Sequence, residues 1–129
     1  MADSIVKQKS YDFALRIIKL CSYLKQKGHY ELTTQLIKAG TSIGANVEEA
    51  LAGQSKKDFY AKMCIASKEA RETNYWLRLI NDSKLVRPER ISNLLSVSEE
   101  LIRILTSIVK TGYSSKNVLT KNSKLKTKD

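Results

Sequence analysis

Five residues between positions 57 and 78 have the types and the spacing that suit contact with nucleic acid. At 100° per residue on a helix they fall within about 60° of a common line, and they are Lys57, Lys68, Arg71, Tyr75 and Arg78. We call this set the basic stripe. Lysine and arginine neutralise phosphates and displace counterions, and arginine and tyrosine also stack on unpaired bases. The other interpretation is a solvated helix face, partly paired with Glu72 and Asp82.

Residues suited to acid–base or metal chemistry are few. His29 is the single histidine, so no Ser–His–Asp arrangement is supported, and a Cys–His pair would need a thiol that the helical pattern places elsewhere. Glu48-Glu49 and Glu69-x-x-Glu72 offer carboxylates, but the Glu-x-x-His motif that binds two metals in helical bundles is absent. We therefore expect no catalytic site, no metal site and no cofactor.

The formal net charge of +10 favours a polyanionic partner or an acidic surface. It does not distinguish RNA from DNA or from an acidic protein, and a basic protein with no specific partner is the other interpretation. No run approaches the roughly 18 to 20 apolar residues that a membrane span needs, and the N-terminus has no apolar signal-peptide core. We expect a cytoplasmic protein with no membrane partner, in which Cys21 and Cys64 are reduced thiols.

Four helical segments with short connections must position these residues, because the chain has one proline, five glycines and no alternating strand pattern. The apolar spacing predicts helices over about 5–27, 30–52, 56–81 and 88–110. Ser55 and Asp58 have the spacing of a capping box at the start of the third helix, and Gly112 is expected to stop the fourth. Residues 113–129 carry five lysines and one aspartate with little apolar content, which predicts a disordered basic tail.

The segment 35–51, QLIKAGTSIGANVEEAL, keeps two glycines inside a helical pattern. A glycine in mid-helix costs about 1 kcal/mol relative to alanine, so Gly40 and Gly44 indicate a close neighbour that a larger side chain would displace. We expect that neighbour to be another helix, and Ala66 and Ala70 of the third helix are candidates to face the small residues of the second. A ligand or a nucleic-acid backbone lying against the glycines is the other interpretation.

The third helix has a heptad seam on one side and a mixed strip beside it. The seam steps by four and three residues, which predicts near-antiparallel packing with a shallow crossing, and it consists of Phe59, Met63, Ala66, Ala70, Thr73, Leu77 and Ile80. The strip contains Ile65, Glu69, Glu72 and Trp76, and of these Ile65, Glu69 and Trp76 are the candidates for an interface between helices or subunits. Glu69 is expected to pair with a basic group of another helix, Arg16 or Arg103.

The segment 41–80, TSIGANVEEALAGQSKKDFYAKMCIASKEARETNYWLRLI, resembles a known family signature. It is the signature of the bacterial four-helix bundle proteins first noted as products of intervening sequences in 23S ribosomal RNA genes. The family includes relatives of the accessory variability protein of diversity-generating retroelements. The resemblance covers roughly residues 5–112, and it implies a bundle that assembles into a ring, a pentamer. For the retroelement relatives it implies a basic pentamer that works with a reverse transcriptase and its RNA.

The sequence thus predicts an all-α, up-down-up-down antiparallel four-helix bundle over residues 1–112, followed by a flexible basic tail over 113–129. The first and fourth helices have apolar arcs wider than a bundle needs, so we expect a homo-oligomer. We expect it to bind nucleic acid through phosphates without catalysis, and RNA is slightly favoured because family members lie within ribosomal RNA genes. The main alternative is a scaffold or accessory subunit for a partner protein, in which oligomerisation is the function.

Overall fold

The computed structural model describes the backbone of residues 2–127 and the side chains of residues 5–112. Its four helices are α1 (Ala2–Gln26), α2 (Tyr30–Leu51), α3 (Lys56–Asp82) and α4 (Pro88–Thr127). The described backbone contains no strand, so the prediction of an all-α fold is confirmed. The predicted starts of α2, α3 and α4 match the structure, and the predicted ends of α2 and α3 differ from it by one residue.

Each helix packs against two neighbours and runs antiparallel to both. Residues early in one helix contact residues late in the next. The pairs that show this are Ser10 with Gly44 and Ile17 with Gly40 (α1 and α2), Lys38 with Glu69 and Glu49 with Lys62 (α2 and α3), Arg71 with Thr106 and Asn74 with Ser98 (α3 and α4), and Lys9 with Glu100 and Arg16 with Asn93 (α1 and α4). The helices therefore close into the predicted up-down-up-down bundle.

The core lies along the axis between the four helices. Its largest fully buried side chains are Phe13, Ile17, Leu24, Leu36, Ile43, Met63, Leu77, Ile80, Ile91, Leu101, Leu105 and Val6. All four helices contribute, and full burial of such a side chain stabilises the fold by about 1.5–3 kcal/mol. The heptad seam of α3 is buried as predicted, except that Phe59 is half-buried at its first position. Burial of the seam turns the opposite side of α3 outward.

The helix ends are set by local hydrogen bonds and by one glycine. The side-chain oxygen of Ser55 accepts a hydrogen bond from the backbone N–H of Asp58 at 3.1 Å, which confirms the predicted N-cap of α3. Gly28 follows α1 with a φ of +89°, in the left-handed region that favours glycine.

No helix in the described part of the chain has an apolar stretch long enough to cross a bilayer.

Gly112 does not stop α4 as predicted, because the helix continues to Thr127. The glycine is buried, and a Cβ built on it would overlap the ring of Tyr60 in α3. Its role in the structure is close approach of α4 to α3, and its φ is not positive. Side chains of the predicted basic tail, 113–129, lie outside those that the structure describes, so the role of the tail stays a prediction.

The two glycines of α2 lie closest to α1, and the expectation that Ala66 and Ala70 face small residues of α2 stays a prediction. A Cβ at Gly40 would lie 2.8 Å from Cγ2 of Ile17, and one at Gly44 would lie 3.3 Å from Oγ of Ser10. At 100° per residue both glycines lie on one edge of the buried face of α2. Ala66 and Ala70 are fully buried in α3.

Candidate nucleic-acid interface

The basic stripe lies on the exposed side of α3, opposite the buried seam. All five of its residues are exposed, and Tyr75 keeps 48% of its surface in contact with solvent. Within residues 5–112 the ion pairs join Lys9 to Glu100 and Lys62 to Glu49. The four cations of the stripe therefore belong to no ion pair among the described side chains, and pairing with Glu72 or Asp82 does not occur there.

One arginine of the stripe reaches across to α4. The Nη2 atom of Arg71 donates a hydrogen bond to the hydroxyl of Thr106 at 3.0 Å. A neutral hydroxyl leaves the guanidinium charge uncompensated and leaves most of its five N–H donors available. The stripe thus extends from the outer side of α3 to its boundary with α4.

At the C-terminal end of the stripe, a series of hydrogen bonds connects Arg78 to the interior of the bundle. The Nε atom of Arg78 donates to Oδ1 of Asn74 at 2.9 Å, and Nδ2 of the buried Asn74 donates to Oγ of Ser98 at 2.9 Å. The Ser98 hydroxyl donates in turn to the carbonyl of Leu95 at 2.8 Å. Arg78 also lies 5.8 Å from the centroid of the Tyr75 ring. These hydrogen bonds therefore hold an arginine beside an exposed aromatic ring.

Sequence reasoning missed three residues that belong with the stripe. Asn74 was overlooked, although a polar residue beside the seam positions was a usable signal. Arg103 and Lys110 of α4 could not be assigned this role from the sequence, because the pattern of α4 indicates only its apolar face. Arg103 and Lys110, together with Arg71, line a groove of about 780 Å³ between α3 and α4. Only the pairing of the two helices brings these cations together.

The predicted interface strip lies beside α2. Ile65 is exposed, whereas Glu69 and Trp76 are half-buried. The Nε1 atom of Trp76 is buried and finds no hydrogen-bond acceptor among the described residues, and the indole borders a groove of about 540 Å³ formed with Leu32, Gln35 and other residues of α2. A buried indole N–H normally has a partner, so this strip has a donor that the isolated chain leaves unused.

The expected partners of Glu69 are wrong. Arg16 donates to the side-chain oxygen of Asn93, and Arg103 lines the groove on α4. The nearby cation is Lys38 of α2, which lowers the pKa of Glu69. Burial, and after it the charge and hydrogen bond of Glu72, outweigh that influence and raise the pKa of Glu69 above its ordinary value.

This raised pKa predicts a pH-dependent gain in stability for Glu69→Gln. The folded protein holds the Glu69 proton more tightly than the unfolded chain does, so ionisation costs stability as the pH rises from the ordinary pKa of about 4.3 through the raised one. We expect the substitution to raise the melting temperature at pH 7 and to give no such gain below about pH 4. Thermal unfolding at fixed protein concentration measures this. Glu99→Gln, on an exposed carboxylate, controls for net charge, and an equal gain at every pH would contradict the prediction.

An apolar stripe remains exposed on α1. Tyr11, Leu15 and Ile18 recur at helical spacing and are 54%, 47% and 45% exposed. The broad apolar arc of α4 behaves differently, since Leu95, Val97, Ile102, Ile104, Ile108 and Val109 are partly buried and pack against the core. The unusual exposed apolar surface that the sequence suggested for both helices is therefore found mainly on α1.

The two cysteines are separate thiols. Cys21 and Cys64 are free thiols, and burial raises the pKa of Cys21 to about 11. At such a pKa almost no thiolate forms at neutral pH, so Cys21 is a packing residue. In the part of the chain that the structure describes, no three side chains of the metal-binding types come together.

Comparison with known proteins identifies similar chains. Residues 2–107 match the family model described as 23S rRNA-intervening sequence protein. A crystal structure of a protein with unknown function from the S23 ribosomal protein family of Bacteroides thetaiotaomicron VPI-5482 is similar at 40% identity and a TM-score of 0.80. The similarity covers 85% of this chain and 99% of that one. A search of curated proteins gave no match.

Proposed function

This chain belongs to the 23S rRNA-intervening sequence protein family, and from that premise we propose that it is a non-enzymatic, homo-oligomeric bundle whose basic surface binds nucleic acid. RNA is the slightly favoured ligand, because the family is described by its place in ribosomal RNA genes. Binding is mainly to phosphates, so it depends strongly on salt and only weakly on base sequence.

The observation that carries this proposal is the exposed and unpaired state of the basic stripe. Four cations share one side of α3, and none of them is neutralised by a carboxylate among residues 5–112. Cations grouped on one side of a helix and left out of ion pairs, on a chain of net charge +10, attract polyanions. Tyr75 adds a half-exposed ring on which an unpaired base can stack.

Self-association is the second part of the proposal. Large apolar side chains that recur on one exposed helix face are usually covered by a partner, and Tyr11, Leu15 and Ile18 of α1 form such a face. The unused indole N–H of Trp76 supports a further contact beside α2. The resemblance to the family implies a pentamer, and nothing in the helix periodicity supplies that number.

The exposed apolar face of α1 and the surface at Trp76 also favour a second candidate function, a protein-interaction scaffold. In that case the oligomer presents its apolar faces to itself and to a partner protein, and the positive charge has no ligand. Either function suits the cytoplasm, where the free thiols of Cys21 and Cys64 stay reduced. Neither candidate function requires catalysis, and the single histidine gives little support for a catalytic site.

Titration of the purified chain with nucleic acids at several salt concentrations tests the proposal. We expect binding to single-stranded RNA whose logarithmic affinity falls linearly with the logarithm of the salt concentration, with a slope of about −0.7 for each phosphate neutralised. Duplex RNA and duplex DNA of the same sequence are the comparisons. Light scattering on the same samples gives the mass and tests self-association.

The outcomes separate the two candidates. Tight, salt-dependent binding by a particle several times the 14.6 kDa mass of one chain supports the nucleic-acid function. An oligomer that binds none of the nucleic acids at low salt rejects that function and favours the scaffold. A monomer would reject the self-association that both candidates require.

A further inference from the structure

The groove between α3 and α4 has the chemistry of a phosphate-binding site. Three cations from the two helices border it, Arg71 from α3 with Arg103 and Lys110 from α4, and Thr106, Ser107 and Thr111 also line it. Guanidinium, ammonium and hydroxyl groups all donate hydrogen bonds to phosphate oxygens. Among residues 5–112, the side chains that line the groove include no carboxylate.

The cations of the groove are available to a ligand. Neither of the two ion pairs within residues 5–112 involves Arg71, Arg103 or Lys110. Arg71 is oriented over the groove by its 3.0 Å hydrogen bond to Thr106. A donor that is already held in place loses less conformational freedom when a ligand arrives, which favours binding.

The dimensions favour a strand over a single small anion. The open groove has a volume of about 780 Å³, within the range of about 300–1,000 Å³ for small-molecule pockets. Arg103 and Lys110 are seven residues apart on α4, which separates their Cα atoms by about 10 Å along the helix. Two cations at that separation suit contact with different phosphates of one chain better than they suit contact with a single phosphate group.

The groove also joins the basic stripe. Arg71 belongs to both, and Tyr75 and Arg78 follow it by one and two turns on α3. A strand whose backbone lies over Arg103 and Arg71 can therefore continue to the half-exposed Tyr75 ring. Stacking on that ring requires an unpaired base, because the bases of a duplex are already stacked on each other.

We propose that the α3–α4 groove binds the phosphate backbone of a single-stranded nucleic acid, with Arg103 and Lys110 as ligands from α4 and Tyr75 as the stacking platform for a base. This assignment rests on the proposed function, and it adds the class of ligand and a second helix to the interface. It makes single strands the preferred ligand over duplexes of the same sequence.

The test uses the full chain and compares two variants with equal loss of charge. Arg103→Gln with Lys110→Gln removes the α4 cations from the groove, and Lys7→Gln with Lys25→Gln removes two exposed cations from α1. Each is titrated with a single-stranded RNA and with the matching duplex over a range of salt. We expect the groove variant to bind the single strand about tenfold more weakly at 0.15 M salt and to lower the salt slope by about 1.4, two contacts at 0.7 each.

The results distinguish failure of the groove from failure of the function. If the unmodified protein binds but the groove variant and the α1 variant weaken binding equally, net charge explains the effect and the groove assignment is overturned. If the duplex binds as tightly as the single strand, the assigned ligand class is overturned. If the unmodified protein binds neither, the proposed function and the groove fall together. Unchanged thermal unfolding of both variants shows that the fold is intact.

Discussion

Gly40→Leu is expected to destabilise the protein by about 3 kcal/mol, the upper end of typical overpacking defects. Even the Cβ of the new side chain would lie 2.8 Å from Cγ2 and 3.0 Å from Cγ1 of Ile17, and the remaining leucine atoms need still more room. Ile17 is fully buried in α1 and cannot rotate away, because a β-branched side chain in a helix has one strongly preferred rotamer. The helices must separate instead. Thermal unfolding should show a fall in melting temperature on the order of 10 °C.

Two further variants make this prediction specific to the α1–α2 contact. Ala45→Leu adds the same side chain at an exposed position of the same helix, and we expect little change. Ile17→Ala opens space opposite Gly40, so the double variant with Gly40→Leu should be more stable than the sum of the two single effects predicts. An unchanged melting temperature for Gly40→Leu, or strict additivity with Ile17→Ala, would contradict the contact. All melts need the same protein concentration, because assembly shifts apparent stability.

The glycines illustrate which part of the packing is encoded in local sequence. Their spacing with Leu36, Ile43 and Val47 identified the buried side of α2, because helical periodicity reports the direction of the core. Periodicity does not report which helix lies over each edge of the buried side. Both α1 and α3 cover α2, and small residues are present on both, so the partner of Gly40 required the three-dimensional arrangement.

Gly112 illustrates the same limit at a helix end. A glycine after an apolar helical pattern is typical of a helix end, and the local sequence contained no sign of another role. The ring of Tyr60, fifty-two residues earlier in the chain, occupies the space where a Cβ at position 112 would lie. Contacts at such a separation depend on how α3 and α4 align. The role of Gly112 in helix packing is therefore visible only in the assembled bundle.

Part of the candidate site could likewise be predicted from the sequence, and part required the structure. The basic stripe could be predicted because its members lie on one helix, where spacing alone fixes a common side. Arg103 and Lys110 could not be added, since an arginine and a lysine seven residues apart on α4 acquire meaning only beside Arg71. Asn74 is intermediate, because its position on α3 was predictable but its hydrogen bond to Ser98 was not.

Replacing the four cations of the basic stripe with glutamine is expected to weaken binding to single-stranded RNA by about a hundredfold at 0.15 M salt and to lower the salt slope by about 2.8, four contacts at 0.7 each. The substitutions are Lys57→Gln, Lys68→Gln, Arg71→Gln and Arg78→Gln. All four side chains are exposed and outside the core, so the fold and the oligomeric mass should be unchanged. Salt titrations of binding measure the loss, and light scattering measures the mass.

The control for this variant removes four exposed cations from other surfaces, with Lys7, Lys19, Lys25 and Arg87 changed to glutamine. Its net charge equals that of the stripe variant, so long-range attraction falls equally in both, and only the stripe variant loses contacts at short range. Binding that is equally weak in both variants would assign the affinity to net charge. Binding that survives in the stripe variant, and survives again when the five lysines of residues 113–129 are also replaced, would show that the stripe is a solvated face. The surface that binds nucleic acid would then lie elsewhere on the bundle.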